Sequence, residues 1–137
     1  MAPNHGKERL ESATAVRRVA VARAEAHFRA CIDAPLPISS LCRVVGLSER
    51  GLREAFYSVR GIGPKQWMLA ERLQGVRRVL SDGCSDGATV TRVASDFGFF
   101  QLGRFAATYR KAFGEAPSAT LRGARIHAQT PQVAQSR

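Results

Sequence analysis

Ile38-Ser39-Ser40-Leu41-Cys42-Arg43-Val44-Val45-Gly46 returns further along the chain as Val90-Thr91-Arg92-Val93-Ala94-Ser95-Asp96-Phe97-Gly98, and this repetition decides the fold. At an offset of 52 residues, Ile38, Leu41, Val45 and Gly46 fall on Val90, Val93, Phe97 and Gly98. Apolar residues three and four apart share one face of a helix, and a glycine ends it by accepting left-handed backbone. Past the turn the offset becomes 53, pairing Leu52 with Phe105, Phe56 with Tyr109, Gly61 with Gly114 and Pro64 with Pro117. The chain therefore reads as an internal duplication of a helix-turn-helix unit, with one extra residue in the second turn.

Working outward, almost every segment carries helical periodicity and no run of alternating Val, Ile and Thr appears, so an all-α fold of about seven helices is expected. Two helix-turn-helix subdomains, 12–63 and 83–122, are joined by a central linker helix over 64–82. A first helix from about Ala13 to Cys31 carries Val16, Val19, Ala20 and Phe28 as its apolar stripe, with Arg17, Arg18, Arg23, Glu25 and Arg29 turned outward. Asp33-Ala34-Pro35-Leu36-Pro37 breaks it. Ser48 caps the helix that runs to Arg60, and Thr89 caps the one opening at Val90, whereas Pro37 leaves the equivalent first-copy cap empty. Pro64 suits the first turn of the linker helix, whose Trp67, Leu69, Leu73, Val76 and Leu80 alternate with Arg72, Arg77 and Arg78. Residues 1–11 read as a disordered polar tail and 123–137 as a frayed basic one.

At 137 residues the chain is too short for a large barrel or a doubly wound enzyme. Its 21 Lys+Arg against 11 Asp+Glu give a formal charge of +10, which favours a polyanionic partner. Only Lys7, Lys65 and Lys111 are lysines, and arginine's flat fork suits both phosphates and guanine edges. No segment is apolar enough for a membrane span or a signal peptide, so a cytoplasmic protein without a membrane partner is expected. Cys31, Cys42 and Cys84 lack zinc or redox spacing and read as incidental thiols. His5, His27 and His127 are scattered, no phosphate loop is present, and no enzyme activity, metal or cofactor is expected.

In a helix-turn-helix the second helix enters the major groove while the first braces it. Between Glu49 and Arg60, Leu52, Ala55, Phe56 and Val59 share one face, and Arg50, Arg53, Glu54 and Tyr57 form the opposite one. Arg50 or Arg53 can donate two bonds to guanine N7 and O6, and Glu54 can accept from cytosine N4. A blander role for Arg50 and Glu54, four apart, is simply to pair with each other. The second copy offers Gly103, Ala106, Ala107 and Arg110 on the equivalent face, with few hydrogen-bonding groups. Ala106 or Ala107 can touch a thymine methyl, while Arg104, Arg110 and Lys111 suit phosphates. The first unit is therefore expected to supply most direct readout and the second affinity, orientation and bending. A linker helix of about 27 Å would let one chain address two successive major-groove segments as a monomer.

From about Ala26 to Arg122 the chain resembles the DNA-binding domain of the AraC/XylS family of bacterial transcription regulators. The likeness rests on Gly46-Leu47-Ser48-Glu49-Arg50-Gly51-Leu52, Phe56, Gly63-Pro64, Arg72-Leu73, Gly98-Phe99, Leu102-Gly103-Arg104-Phe105, Tyr109, Phe113-Gly114 and Pro117-Ser118. The Leu-Gly-Arg-Phe segment is similar to the XylS-like branch. The resemblance implies base contacts at Arg50, Arg53, Glu54, Leu102, Gly103, Ala106 and Ala107. Arg104 falls at a backbone or base contact, and Ser48, Tyr57, Arg110 and Lys111 are assigned to the DNA backbone. It implies an activator that binds double-stranded promoter DNA and touches RNA polymerase. No small-molecule effector site is expected within this chain, which reads as a stand-alone regulator or the C-terminal piece of a longer one. The competing reading is an adaptor that binds RNA polymerase and holds DNA weakly or non-specifically.

Overall fold

A computed structural model describes residues 5–83 and 87–129. The described residues form seven helices and no strands: α1 His5–Ala30, α2 Ile38–Val45, α3 Glu49–Arg60, α4 Pro64–Ser81, α5 Val90–Asp96, α6 Leu102–Phe113 and α7 Pro117–Gln129. Cys84, residues 1–4 and the tail from 130 lie outside the described residues. The helices of the two helix-turn-helix units begin and end close to where the punctuation predicts. Gly46, Gly61, Gly98 and Gly114 all take left-handed backbone, with φ between 73° and 85°, a conformation in which a side chain would crowd the chain. Thr89 caps α5 by accepting from the Arg92 N–H at 3.2 Å, and Pro37 provides no side-chain cap for α2.

The chain divides into two compact units, 1–70 and 71–137, and the boundary falls inside α4. The linker helix is thus not a segment apart. Its first half carries Trp67 and Met68 into the core of the first unit, and its second half carries Leu73, Val76 and Leu80 into the core of the second.

This division shows that the repeat is longer than a helix-turn-helix. In the first core Val21, Ala24 and Phe28 of α1 pack with Ile38, Leu41, Leu52, Phe56, Trp67 and Met68. In the second, Leu73, Val76 and Leu80 take the places of Val21, Ala24 and Phe28 at the same offset of 52, and Leu121 takes that of Met68 at 53. Each unit is a helix, a helix-turn-helix and a closing helix that starts at Pro64 or Pro117.

The structure corrects the reading of α1. Val16 and Val19 are exposed, and the inward residues are Ala20, Val21, Ala24 and Phe28. Alanines on several faces made the stripe ambiguous, whereas stepping back by three and four from Phe28 through Ala24 to Val21 traces the true one. Glu25 faces inward as well, at 3% exposure. Its two carboxylate oxygens accept from Arg60 Nε at 2.7 Å and from a terminal guanidinium nitrogen at 2.8 Å, a bidentate pair that ties α1 to the end of α3. In the repeat, Glu25 corresponds to Arg77 and Arg60 to Phe113, and the tie becomes a guanidinium 4.6 Å from the ring centroid. The outer segments also differ from expectation. α1 starts at His5, upstream of its expected start near Ala13, because Gly6 to Ala30 contains no proline and Glu8 favours the first turn. α7 continues through Gly123 to Gln129, anchored by buried Leu121 and by Arg125, which donates to the Ala88 carbonyl at 3.0 Å.

Gly75 marks a compensating pair of changes between the copies. Position 75 corresponds to Arg23 and Phe97 to Val45. A Cβ at 75 would lie 2.2 Å from the Phe97 ring, so the larger residue at 97 fits only because 75 has no side chain. Gly75→Ala should destabilise the second unit by about 1–3 kcal/mol despite alanine's better helix propensity. Adding Phe97→Val should recover much of that loss in denaturant titrations.

Candidate nucleic-acid interface

The first turn is short and fully specified. Gly46 donates to the Cys42 carbonyl at 2.8 Å and Leu47 to the same oxygen at 3.1 Å, closing α2. Ser48 then accepts the Gly51 N–H on its hydroxyl oxygen at 3.0 Å, opening α3. That bond uses only the oxygen, so the Ser48 O–H remains a donor on the same exposed edge. Leu52, Ala55 and Phe56 are buried, and Phe56 stacks at a tilt on Trp67 at 5.7 Å between ring centroids. Trp67 in turn meets the Phe28 ring edge-on at 5.5 Å, so it is a core residue as its place on the stripe predicts.

With one side of α3 fixed, Arg50, Arg53, Glu54 and Tyr57 are all exposed on the other. The blander contact does form. Arg50 Nε donates to Glu54 Oε1 at 3.2 Å, with side chains 87% and 55% exposed. A solvated pair of this spacing contributes a few tenths of a kcal/mol, whereas a bidentate arginine–guanine contact discriminates by about 1–3 kcal/mol. The pair therefore orients Arg50 without holding it back from a stronger partner.

Sequence reading missed the floor beside this face. A cleft of about 280 Å³ is lined by Ile38, Glu49, Arg53, Tyr57, Lys65 and Gln66. Gly63 runs its backbone beside the Tyr57 ring, where a Cβ would stand in ordinary contact at 3.6 Å. Lys65 thus joins Arg53 as a second cation on one side of α3. The signal was present in Gly61-Ile62-Gly63-Pro64, a turn too tight to carry Lys65 far from the helix it follows.

In the second unit the extra turn residue lies within Phe99-Phe100-Gln101. Phe99 tucks against Phe105 at 4.7 Å, while Phe100 stays 60% exposed. Gln101 makes no side-chain cap for α6. Phe105 and Tyr109 are buried, and Leu102, Gly103, Arg104, Ala106, Ala107, Arg110 and Lys111 are exposed. The Tyr109 hydroxyl hydrogen-bonds to Thr120 Oγ1 at 2.8 Å, which joins α6 to α7.

Each unit thus presents one helix with a buried stripe and an exposed opposite face, basic in the first and apolar with basic flanks in the second. A family model described as a helix-turn-helix domain matches residues 41–123. The crystal structure of a probable AraC family transcriptional regulator from Rhodopseudomonas palustris superposes with a TM-score of 0.69 at 42% identity, covering 77% of this chain and 97% of that one. The chain belongs to the AraC/XylS family of helix-turn-helix DNA-binding domains. This AraC/XylS domain is also 38% identical over 87 residues to the XylDLEGF operon transcriptional activator of Pseudomonas putida, covering 64% of this chain and 27% of that protein. It is 37% identical over 107 residues to the probable thc operon regulatory protein of Rhodococcus erythropolis, covering 77% of this chain and 30% of that protein. The chain spans less than a third of the length of these two relatives. The family is one of DNA-binding regulators and not of enzymes, and an adaptor that holds DNA only loosely finds no support among these likenesses. Among the described residues no helix is long and apolar enough to cross a membrane.

Burial pushes the Tyr109 hydroxyl above the ordinary tyrosine value of 10.0, outweighing the Thr120 bond and the Arg77 charge that lower it. The folded protein then keeps this proton where the unfolded chain releases it. The corresponding stability is present below the ordinary value and is lost as pH rises through the folded one. Tyr109→Phe should cost about 1 kcal/mol at neutral pH and flatten the alkaline loss of stability, as measured by thermal unfolding on both sides of pH 10.0.

Proposed function

We propose that this AraC/XylS domain recognises a promoter sequence in double-stranded DNA and activates transcription from it, with RNA polymerase as its protein partner. The observation that carries this reading is the face of α3, where Arg50, Arg53 and Glu54 stand exposed opposite buried Leu52, Ala55 and Phe56. Those groups match the donor and acceptor pattern of guanine and cytosine in the major groove. Ser48, Tyr57, Arg104, Arg110 and Lys111 hold the phosphates and set register without carrying sequence information. Leu102, Gly103, Ala106 and Ala107 form the base-facing side of the second recognition helix.

One chain carries two recognition helices, so it engages two successive major-groove segments as a monomer, without the second copy that a single helix-turn-helix would need. Activation is supported by the likeness to the XylDLEGF operon transcriptional activator of Pseudomonas putida, and an activator of this kind works through RNA polymerase. A chain that acts on bacterial promoters works in the cytoplasm.

Titration of labelled promoter fragments against scrambled competitor at fixed salt tests the reading. A protected site of about two helical turns is expected, and equal affinity for every sequence would refute it. If about six phosphates are contacted, log K falls with log salt at a slope of about −5. Arg53→Ala should relax specificity at one or two base pairs, while Arg110→Ala should weaken all sequences alike and make the slope shallower by about 1.

A further inference from the structure

The base-facing side of α6 is apolar, and nothing in the fold asks it to be. Phe100 is 60% exposed and Leu102 43% exposed at the entry to the helix. Ala106 and Ala107 follow on the exposed side. Gly103 sits in the first turn, takes no left-handed backbone, and would meet nothing within 4 Å if it carried a Cβ. Glycine inside a helix costs about 0.5–1 kcal/mol relative to alanine, and here no packing within the protein accounts for it. The same helix carries exposed Arg104, Arg110 and Lys111.

Two classes of partner have apolar groups to offer. Protein interfaces draw their affinity from large side chains seated in pockets, and of the four base-facing positions of α6 only Leu102 is large, the others being Gly103, Ala106 and Ala107. Small side chains on a helix that also carries exposed cations fit a groove walled by phosphates. In the major groove the thymine C5-methyl is the one apolar group on a base edge. A helix whose first turn is glycine can bring its backbone close to such a methyl.

We propose that the second unit reads thymine methyl groups, with Leu102, Ala106 and Ala107 as the specificity-determining side chains, Gly103 permitting the close approach, and Phe100 extending the apolar edge. This rests on the reading of the chain as a sequence-specific DNA binder. It gives the base-facing side of α6 a means of direct readout without hydrogen bonds, and it gives the two halves of the site different chemistry. Arginine and glutamate in α3 select G·C pairs, whereas α6 selects T·A pairs by the methyl alone.

The test uses the full chain and a duplex selected by it from a random-sequence pool. Thymines in each half of the site are replaced by deoxyuridine, which removes the methyl and leaves base pairing intact. The expected result is a loss of about fourfold in affinity per contacted methyl, the worth of one buried carbon, confined to one half of the site. Leu102→Ala, whose side chain is exposed, should reduce that sensitivity so that thymine and deoxyuridine duplexes bind more nearly alike. Arg53→Ala should leave it intact. If the duplex is preferred over scrambled sequence but deoxyuridine changes nothing in either half, the methyl reading is overturned and specific DNA binding stands. If no sequence is preferred at all, the DNA reading fails and takes this inference with it. Should Leu102→Ala abolish capture of purified RNA polymerase while deoxyuridine has no effect, the face belongs to a protein partner and the inference is wrong.

Discussion

Each recognition helix is held by one aromatic side chain at the middle of its buried stripe, Phe56 in α3 and Tyr109 in α6, and both are fully buried. Removing a core ring of this kind costs about 3–5 kcal/mol, a large share of what a small unit has in reserve. The consequence for DNA recognition is geometric. A helix presents a reading face only if the opposite face cannot rotate, and the ring locks the rotation. What lies around the two rings differs: Phe56 leans on Trp67, while Tyr109 contacts Phe105 and Phe113 and adds a hydrogen bond to Thr120. The same mechanical task is solved once by aromatic packing alone and once with a polar bond included.

Comparison of the copies separates what the architecture requires from what it tolerates. Left-handed glycines, the prolines that open α4 and α7, and the three apolar steps on the helix before each helix-turn-helix recur in register. The tie from that preceding helix to the end of the recognition helix recurs in position and changes in chemistry, from the Glu25–Arg60 ion pair to the Arg77–Phe113 contact. The requirement is a cross-brace at that point. The reading faces share almost nothing, as expected of surfaces that answer to a ligand and not to the core.

Much of this was legible in the sequence, for a physical reason. Helix ends depend on local backbone chemistry, so Gly46, Gly61, Gly114, Ser48 and Thr89 announce them directly. The exposed faces of α3 and α6 follow from spacing once the buried stripe is known. α1 was harder, because alanine packs on either side of a helix and Val16 and Val19 offered a false stripe. Glu25 was hidden too: a carboxylate is read as surface unless its partner, Arg60, 35 residues away, is known. The full length of the repeat escaped because α4 serves two units, and its second half resembles α1 only in three spaced positions. Phe100 becomes meaningful only in three dimensions, as an apolar side chain left outside a packed turn, and Lys65 had only the tight turn before it to mark it as the wall of a cleft.

The fit between Gly75 and Phe97 constrains the history of the two copies as well as their stability. With a side chain at position 75, as Arg23 supplies at the equivalent place in the first unit, the Phe97 ring would have to shift to make room, so each change is costly while the other is missing. Glycine beside a small residue avoids that crowding and gives up the contact the ring makes. Two duplicated units that share a fold are in this way kept from exchanging residues freely, and each retains its own packing while its recognition surface changes.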